Sequence, residues 1–249
     1  MVSNVAQPRS VSSKSGKLAL TPILGWSALV LLIAGLLMAF LVAPRAQAAS
    51  GGDVQRIFYF HVPSAWVGFG VWSVTAYAGW RYLKTRDLRY DRIASAASEV
   101  CVVFITMMLL SGMLWGKPVW NAFWTWEAKL TFSALQSLMY LAYLLLRSGI
   151  DDPHRKARFA AIYALLGAAL IPFNFLVSRV LETVHPAVFG PSVNAKSQGG
   201  FGVPVEMIVV LMVCLTAFTL LAWFFIRVRV GLLEREELIE TRRAALIGS

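Results

Sequence analysis

The segment of the chain that points most directly to chemistry is a short tryptophan-rich stretch, WGKPVWNAFWTWEAKLT, which begins at residue 115. Four of the nine tryptophans lie within twelve residues there. They are Trp115, Trp120, Trp124 and Trp126, with Phe123 among them. A belt of aromatic residues at a membrane boundary accounts for one or two of these. Four together predict a flat aromatic platform that suits a large planar ligand near a membrane surface.

Two of the three histidines are placed where they could act beside this platform. His61, in FYFHVPSAW, lies two residues before Pro63, which favours the first turn of a helix. His185, in LETVHPAVFG, directly precedes Pro186, which disfavours helix at the histidine itself. Haem iron accepts axial histidine nitrogens, and its macrocycle needs apolar and aromatic walls. Two imidazoles beside an aromatic platform therefore predict a haem site.

The sequence does not decide which other ligands and which cations complete this site. A copper or zinc site would need more ligands than two histidines, although Glu127 or Glu182 could join them. Haem propionates need cations, and four lie on or near the same surface. They are Arg56, Lys117, Lys129 and Arg179.

The composition sets the class of the protein that must position these residues. The chain is 58% hydrophobic and 14% charged, with a mean hydropathy of +0.65, which is far from an ordinary soluble domain. Six apolar stretches reach the roughly 20 residues that a helix needs to cross a bilayer. They are Leu18–Val42, Val62–Tyr82, Ile93–Leu114, Ala128–Leu146, Phe159–Val177 and Val203–Ile226. The runs are continuous and lack a period of two, so they predict an all-α polytopic membrane protein rather than a barrel.

Lysine and arginine are distributed in a way that predicts the orientation of the helices. Seventeen of the 23 lie in the N-terminal arm, the second and fourth connections and the C-terminal tail, and each other connection holds two. The positive-inside rule therefore puts both termini in the cytoplasm. His61, His185 and the tryptophan-rich stretch then lie outside. The net charge of +10 follows from this orientation and gives no reason to invoke nucleic acid.

The predicted organisation is one membrane domain with short extensions. We expect a cytoplasmic arm over 1–17, a six-helix domain over 18–226 with an external loop at 115–127, and a cytoplasmic tail over 227–249. The sequence APRAQAAS after residue 42 resembles a signal-peptidase site. The first apolar stretch is too long for a signal peptide, however, so we expect a retained helix.

Few polar groups lie inside the predicted spans. Glu99 is costly in lipid and should face the bundle, either to contact a partner subunit or to hydrogen-bond within the protein. Cys101 and Cys214 also fall inside spans, and no Cys-x-x-Cys pair occurs. The chain is therefore predicted to be neither a thiol oxidoreductase nor itself a c-type cytochrome.

These features together resemble a known family. The stretch WGKPVWNAFWTWEAKLT is similar to the tryptophan-rich signature of the haem-handling membrane proteins of cytochrome c maturation. FYFHVPSAW, the six-span length and the two flanking histidines resemble the haem exporter protein C family, and the resemblance covers most of the chain.

The resemblance implies a protein of the inner membrane that binds haem b on its periplasmic side and passes it to a membrane-anchored haem chaperone. It implies that His61 and His185 are the axial ligands of the iron. The residues that it assigns to the aromatic cradle are Trp115, Gly116, Trp120, Trp124 and Trp126. It also implies an ABC-type ATPase and a second membrane subunit as partners. The run from Gly112 to Pro118 does not match a Walker A sequence, so ATP hydrolysis would belong to another chain.

One pair of residues departs from the family pattern. The family commonly has Trp-Asp-x-Arg where this chain has Trp126, Glu127, Ala128 and Lys129. The order of charges is kept, and an anion at the start of the fourth span still suits a helix N-terminus. Lysine cannot offer the bidentate fork of arginine, so a contact from Lys129 to a propionate or chaperone should be looser.

Two other functions fit the sequence less well than haem delivery does. A transport permease that moves a small substrate through the bundle would favour ionisable groups distributed along the spans, and few are present. A quinone-linked b-type cytochrome would need histidines at two depths, and no histidine lies inside a predicted span. We therefore expect a haem-binding delivery subunit with no catalytic residue of its own, rather than an enzyme.

Overall fold

The computed structural model describes residues 15–45, 52–181, 183–185 and 204–247, and this part of the chain contains helices and no strand. A short 3-10 helix, Gly52–Ile57, leads directly into the second of seven α-helices. The α-helices are α1 (Ser15–Leu41), α2 (Phe58–Thr85), α3 (Leu88–Trp120), α4 (Ala128–Ser148), α5 (Pro153–Ala169), α6 (Ile171–Val180) and α7 (Val205–Ile247). The predicted all-α class is confirmed.

Five stretches are long and apolar enough to cross a membrane. Within the described residues they are Leu20–Leu41, Leu88–Trp120, Ala128–Ser148, Pro153–Val180 and Val205–Ile247. They agree with five of the six predicted spans. The fold is therefore that of a polytopic membrane protein, while the count of six spans and the location of the termini stay predictions.

Helix α2 corresponds to the predicted second span, although it is less apolar than the other five stretches. It lies at the centre of the bundle and packs against α3, α5 and α7. Glycines let its neighbours approach closely. A Cβ on Gly68 would lie 2.7 Å from Cδ1 of Ile105, and one on Gly79 would lie 3.0 Å from Cα of Ala161. A helix that is surrounded by protein can use small and aromatic residues where a lipid-facing helix needs leucine.

The structure differs from the predicted spans in two places. The predicted fifth span is broken at Leu170, where α5 ends and α6 begins. Pro172 lies in the first turn of α6, where the missing amide proton costs little. The sixth span continues into the predicted tail, because α7 runs without interruption from Val205 to Ile247 over about 65 Å.

Ion pairs join the helices at the end of the bundle where α3 begins and α4 ends. Arg147 donates to both carboxylate oxygens of Asp91, at 2.6 and 2.9 Å, and both side chains are largely buried. Arg229 of α7 contacts Glu99 at 2.6 Å. Of the two roles predicted for Glu99, the described contacts show the bond within the protein. These pairs fix α3 against α4 and α7.

The interior of the bundle is built around a buried tryptophan. Trp72 is fully buried, stacks on Tyr140 with ring centroids 3.8 Å apart, and donates its indole N–H to the carbonyl of Ala164 at 3.1 Å. A Cβ on Gly167 would lie only 2.7 Å from Nε1 of Trp72. The absence of a side chain at Gly167 therefore allows α5 to pack on this indole.

We expect Gly167→Ala to destabilise the bundle by about 1–3 kcal/mol, because the added methyl group collides with an indole that has no free space to enter. The free energy of unfolding, measured by titration with sodium dodecyl sulfate, checks this. Gly231→Ala is the matched control, since a Cβ there meets nothing within 4 Å. Equal stability of the two variants would contradict this account of the packing.

Candidate functional site

Both histidines and the tryptophan-rich stretch lie at one end of the bundle, which we call the histidine end. It is formed by the start of α2, the last turns of α3, residues 121–127, the start of α4 and the segment after α6. The spans formed by α2, by α3, by α4 and by α5 with α6 run in alternating directions, so these starts and ends meet. The sequence placed the same residues on one surface, and the structure brings several of them into contact.

His61 is held by the facing helix. It lies in the first turn of α2, and its Nδ1 is 3.0 Å from the carbonyl oxygen of Met108 and 3.1 Å from Oγ of Ser111. The hydroxyl of Ser111 itself donates to the carbonyl of Met107 at 2.6 Å. Because a carbonyl oxygen can only accept, Nδ1 carries the proton and Nε2 keeps its lone pair. The lone pair of Nε2 is therefore the one that a metal or a hydrogen-bond donor can use.

Gly112 of α3 lies directly against the His61 ring. A Cβ at this position would be 3.0 Å from Cε1 and 3.4 Å from Nδ1 of the imidazole. The ring therefore fits into a space that a side chain at residue 112 would occupy. Sequence reasoning missed Gly112, Met108 and Ser111, because which turn of α3 faces His61 follows from tertiary packing and not from any local pattern.

His185 lies close to His61. The centroids of the two imidazole rings are 6.3 Å apart, and the ring planes are inclined by 45°. His185 is half-buried, and its backbone N–H donates to Oγ1 of Thr183 at 3.1 Å. The structure therefore joins two histidines that are separated by 124 positions in the sequence. Pro186, which follows, and Glu182 fall outside the described residues.

Trp115 forms a wall beside the histidines. Its ring meets that of His61 edge to face, with centroids 5.9 Å apart, and meets that of Phe58 in the same way at 6.2 Å. It belongs to α3, because the helix continues through Gly116 and Pro118 and ends only at Trp120. Pro118 has no amide proton to donate to the carbonyl of Leu114, so the last turn of α3 lacks that helical hydrogen bond. The first half of the predicted loop 115–127 is therefore helical.

Trp120 folds back along the same helix. A Cβ on Gly116 would lie 3.1 Å from Cε3 of Trp120, so this indole lies over the glycine one turn earlier. Asn121 then ends the helix with a positive φ of 56°, a backbone conformation that asparagine adopts more readily than most residues. Gly116 thus allows the position of the Trp120 ring, and Asn121 sets the point at which the chain leaves α3.

The other two tryptophans form an edge-to-face pair. The ring centroids of Trp124 and Trp126 are 6.0 Å apart. Trp126 is 83% exposed and Phe123 is 53% exposed, whereas Trp124 is partly buried. Among the described residues the ring contacts join Trp124 to Trp126 and Trp115 to His61, and none joins these two sets. The predicted flat platform is therefore divided into an inner indole, Trp115, and an outer pair whose planes are inclined by 75°.

Several polar atoms near this platform are buried without a hydrogen-bond partner in the described structure. Such buried polar atoms are rare, because leaving one unpaired costs free energy. They are Nε1 of Trp115, Nε1 of Trp124 and Oγ1 of Thr125. A ligand with acceptor atoms would satisfy the two indole groups.

Glu127 and Lys129 connect this segment to the helices on either side. Glu127 is the N-cap of α4 and accepts from the backbone N–H of Leu130 at 3.1 Å, and burial raises the pKa of its carboxyl group. Nζ of Lys129 donates to the backbone oxygen and to Oδ1 of Asn174, at 2.5 and 2.6 Å. Lys129, predicted to contact the cofactor, therefore has partners within the protein.

The other candidate cations are placed differently. Arg56 donates to the carbonyl of Ala39 and pairs with Asp53. Arg179 donates to the carbonyl of Phe175 at 2.8 Å. Lys117 is exposed and its nearest acceptor is the carbonyl of Asn121 at 3.3 Å.

The described residues contain no group of three or more His, Cys, Asp and Glu side chains that could hold a metal ion. The arrangement that they do contain is a pair of imidazoles with an aromatic wall. Such a pair suits a metal whose remaining ligands come with it, as in a metalloporphyrin.

Comparison with known proteins identifies the family of the chain. Residues 1–244 match the family model for heme exporter protein C. Heme exporter protein C of Bradyrhizobium diazoefficiens is 35% identical over 82% of this chain and 76% of its own length. That of Haemophilus influenzae is 28% identical over 93% of this chain and 91% of its own, and that of Escherichia coli K12 is 30% identical over 66% of each. The chain belongs to the heme exporter protein C family.

Proposed function

We propose that this protein binds haem between His61 and His185 at the periplasmic face of the inner membrane and delivers it to a membrane-anchored haem chaperone for cytochrome c maturation. The observation that carries the proposal is the pair of imidazole rings, 6.3 Å apart, beside Trp115. The family of the chain, whose members are named heme exporters, supports it. The haem is cargo, and it supplies the iron that the two imidazoles would hold.

The separation of the rings fits one iron atom between them. A bond from a metal to an imidazole nitrogen is about 2 Å long, so two imidazoles on opposite sides of one iron have centroids roughly 6 Å apart. The hydrogen bond from Nδ1 of His61 to the Met108 carbonyl fixes the tautomer and the direction of the ring. His61 would therefore bind through Nε2 without rearrangement of α2 or α3.

The surroundings of the two rings suit a macrocycle. Trp115 offers an apolar wall, and the unpaired indole N–H groups of Trp115 and Trp124 offer donors to acceptor atoms of the ligand. Lys117 is an exposed cation near the edge of the platform. Of the four candidate cations, it is the one whose present contacts would interfere least with binding a propionate. The interior of the site would exclude water from one face of the haem.

The outer rim of the platform suits transfer to a partner. Trp126 and Phe123 are exposed apolar rings at the end of the bundle, where a membrane-anchored chaperone could approach. Exposed aromatic residues of this kind are typical of binding surfaces. The ABC-type ATPase and the second membrane subunit would supply energy and assembly from other chains.

Haem delivery accounts for the polar groups of the bundle better than a permease does. Glu99 is paired with Arg229, Asn174 is bound by Lys129, and Gln136 donates to the hydroxyl of Tyr140. These groups stabilise contacts between helices. A path for a polar substrate would need such groups to face a common channel.

We expect the histidine end to face the periplasm and both termini to face the cytoplasm, with α2 crossing the membrane in addition to the five apolar stretches. An impermeant maleimide added to intact cells should label Phe123→Cys, whereas Arg89→Cys and Glu240→Cys should react only after lysis. Cys101 and Cys214 are buried, so the background reaction should be small. Labelling of Arg89→Cys in intact cells would reverse the proposed orientation.

We expect His61→Ala and His185→Ala each to remove the six-coordinate haem spectrum of the purified protein and to weaken haem retention roughly tenfold or more, because each variant deletes a proposed ligand. Absorbance of the oxidised and reduced protein in detergent checks this. His154→Ala is the control, since that imidazole lies at the other end of the bundle and contacts Tyr82. An unchanged spectrum in both site variants would refute the ligand assignment.

We expect Gly112→Ala to displace the His61 ring, because the new methyl group would lie 3.0 Å from Cε1. Haem should be held roughly fivefold less tightly, which corresponds to about 1 kcal/mol. Haem transfer to apomyoglobin, followed by absorbance, measures the rate of loss. Gly70→Ala is the matched control, since its Cβ would meet nothing within 4 Å; equal rates for both variants would show that the ring does not depend on this space.

A further inference from the structure

We infer that Lys129 and Asn174 are positioning residues that hold the His185 ligand opposite His61. The inference rests on the haem-binding function proposed above, and it gives Lys129 a role that differs from direct contact with the haem. The two histidines belong to different parts of the bundle. His61 lies within α2, whereas His185 lies five residues beyond the end of α6.

Helix α6 is short, and contacts with other helices help to place it. It has ten residues and is about 15 Å long. It follows α5 after Leu170, whose backbone is still helical at φ −81° and ψ −16°, and it packs against α4 as well as α5. The placement of α6, and with it the start of the His185 segment, therefore depends in part on α4.

Lys129 supplies the strongest polar contact of this kind. Its ammonium group donates to both oxygens of Asn174, at 2.5 and 2.6 Å, and Nδ2 of Asn174 donates to Oγ of Ser133 at 3.2 Å. Asn174 is 1% exposed, so its side chain is satisfied entirely by α4. Hydrogen bonds from a charged donor are stronger than neutral ones, and removing one partner leaves buried groups unpaired.

Phe175, the next residue, connects the same turn of α6 to the helix that carries His61. Its ring packs edge to face on Trp66 and Phe69 of α2, with centroids 5.8 and 5.5 Å apart. Nζ of Lys129 lies 5.6 Å from the centroid of the Phe175 ring. Lys129 of α4 therefore contacts both Asn174 and Phe175 of α6. Because Phe175 also packs on α2, these contacts help to set the distance between α6 and α2.

Glu127 begins the helix that carries Lys129. It caps α4 by accepting from the backbone N–H of Leu130 at 3.1 Å, so Lys129 lies in the first turn of a capped helix. The tryptophan-rich segment therefore reaches α6 through Lys129.

The test compares haem bound to the purified full-length wild type with haem bound to Lys129→Met and Asn174→Leu. We expect both variants to lose the six-coordinate spectrum and to release haem roughly tenfold faster, which corresponds to about 1.4 kcal/mol. The double variant should be no worse than either single one, because the two residues act through one contact. Added imidazole should restore the six-coordinate spectrum, since the missing ligand is His185; general unfolding would not be reversed in this way.

Two further variants make the result decisive. Asn174→Asp keeps an acceptor for Lys129 and should retain the wild-type spectrum, and Lys84→Met removes an exposed lysine at the opposite end and should change nothing. Wild-type coordination and haem release in Lys129→Met, or no restoration by imidazole, would overturn the inference. A wild type that itself lacks a His185-dependent six-coordinate spectrum would instead refute the proposed function.

Discussion

The constraint on which the structure depends is that a helix in hydrocarbon must satisfy its own backbone hydrogen bonds, while its ends need not lie in hydrocarbon. Irregular backbone is therefore concentrated at the ends of the bundle, apart from the break at Leu170, and a site that needs a turn, a cap and a non-helical histidine is built at such an end. The histidine end meets this requirement. His61 comes from the first turn of α2, Trp115 from the last turns of α3 and His185 from the segment after α6. A single ligand can then contact several helices without breaking any of them.

Close packing of the helices fixes the positions of the side chains at this end. Helix α2 is surrounded by α3, α5 and α7, and its glycines bring α3 near enough for the Met108 carbonyl to accept from Nδ1 of His61. Gly112 leaves the space that the imidazole occupies. The low hydropathy of α2 and the precise placement of His61 thus have one origin, since a helix enclosed by protein carries small and aromatic residues. The same packing makes substitution of these glycines costly.

The sequence predicted the elements well and the contacts poorly. Five of the predicted spans match the apolar helices because hydropathy depends on local composition. The platform residues and the two histidines were found because their types are rare and their spacing is short. Gly112, Met108 and Asn174 were missed, since their roles arise from residues 45 to 51 positions away that only folding brings near. The helical state of residues 115–120 was missed for a related reason, because a Gly-Lys-Pro sequence is typical of turns and its last helical turn is stabilised by Trp120 over Gly116.

His61 is held more firmly in the structure than His185 is. This difference suits a protein that delivers haem better than one that stores it. His61 is fixed inside two long helices by a carbonyl, a hydroxyl and a glycine. His185 depends on a ten-residue helix whose position is set by Lys129, Asn174 and Phe175. A chaperone that docks on the exposed rim at Trp126 would act on the segment that also carries Glu127 and Lys129. Movement of that segment would weaken the contact from Lys129 to α6, which helps to position His185, whereas the contact from His61 to Met108 of α3 does not involve that segment. A carrier that must bind its cargo firmly and then surrender it needs one fixed ligand and one that its partner can displace.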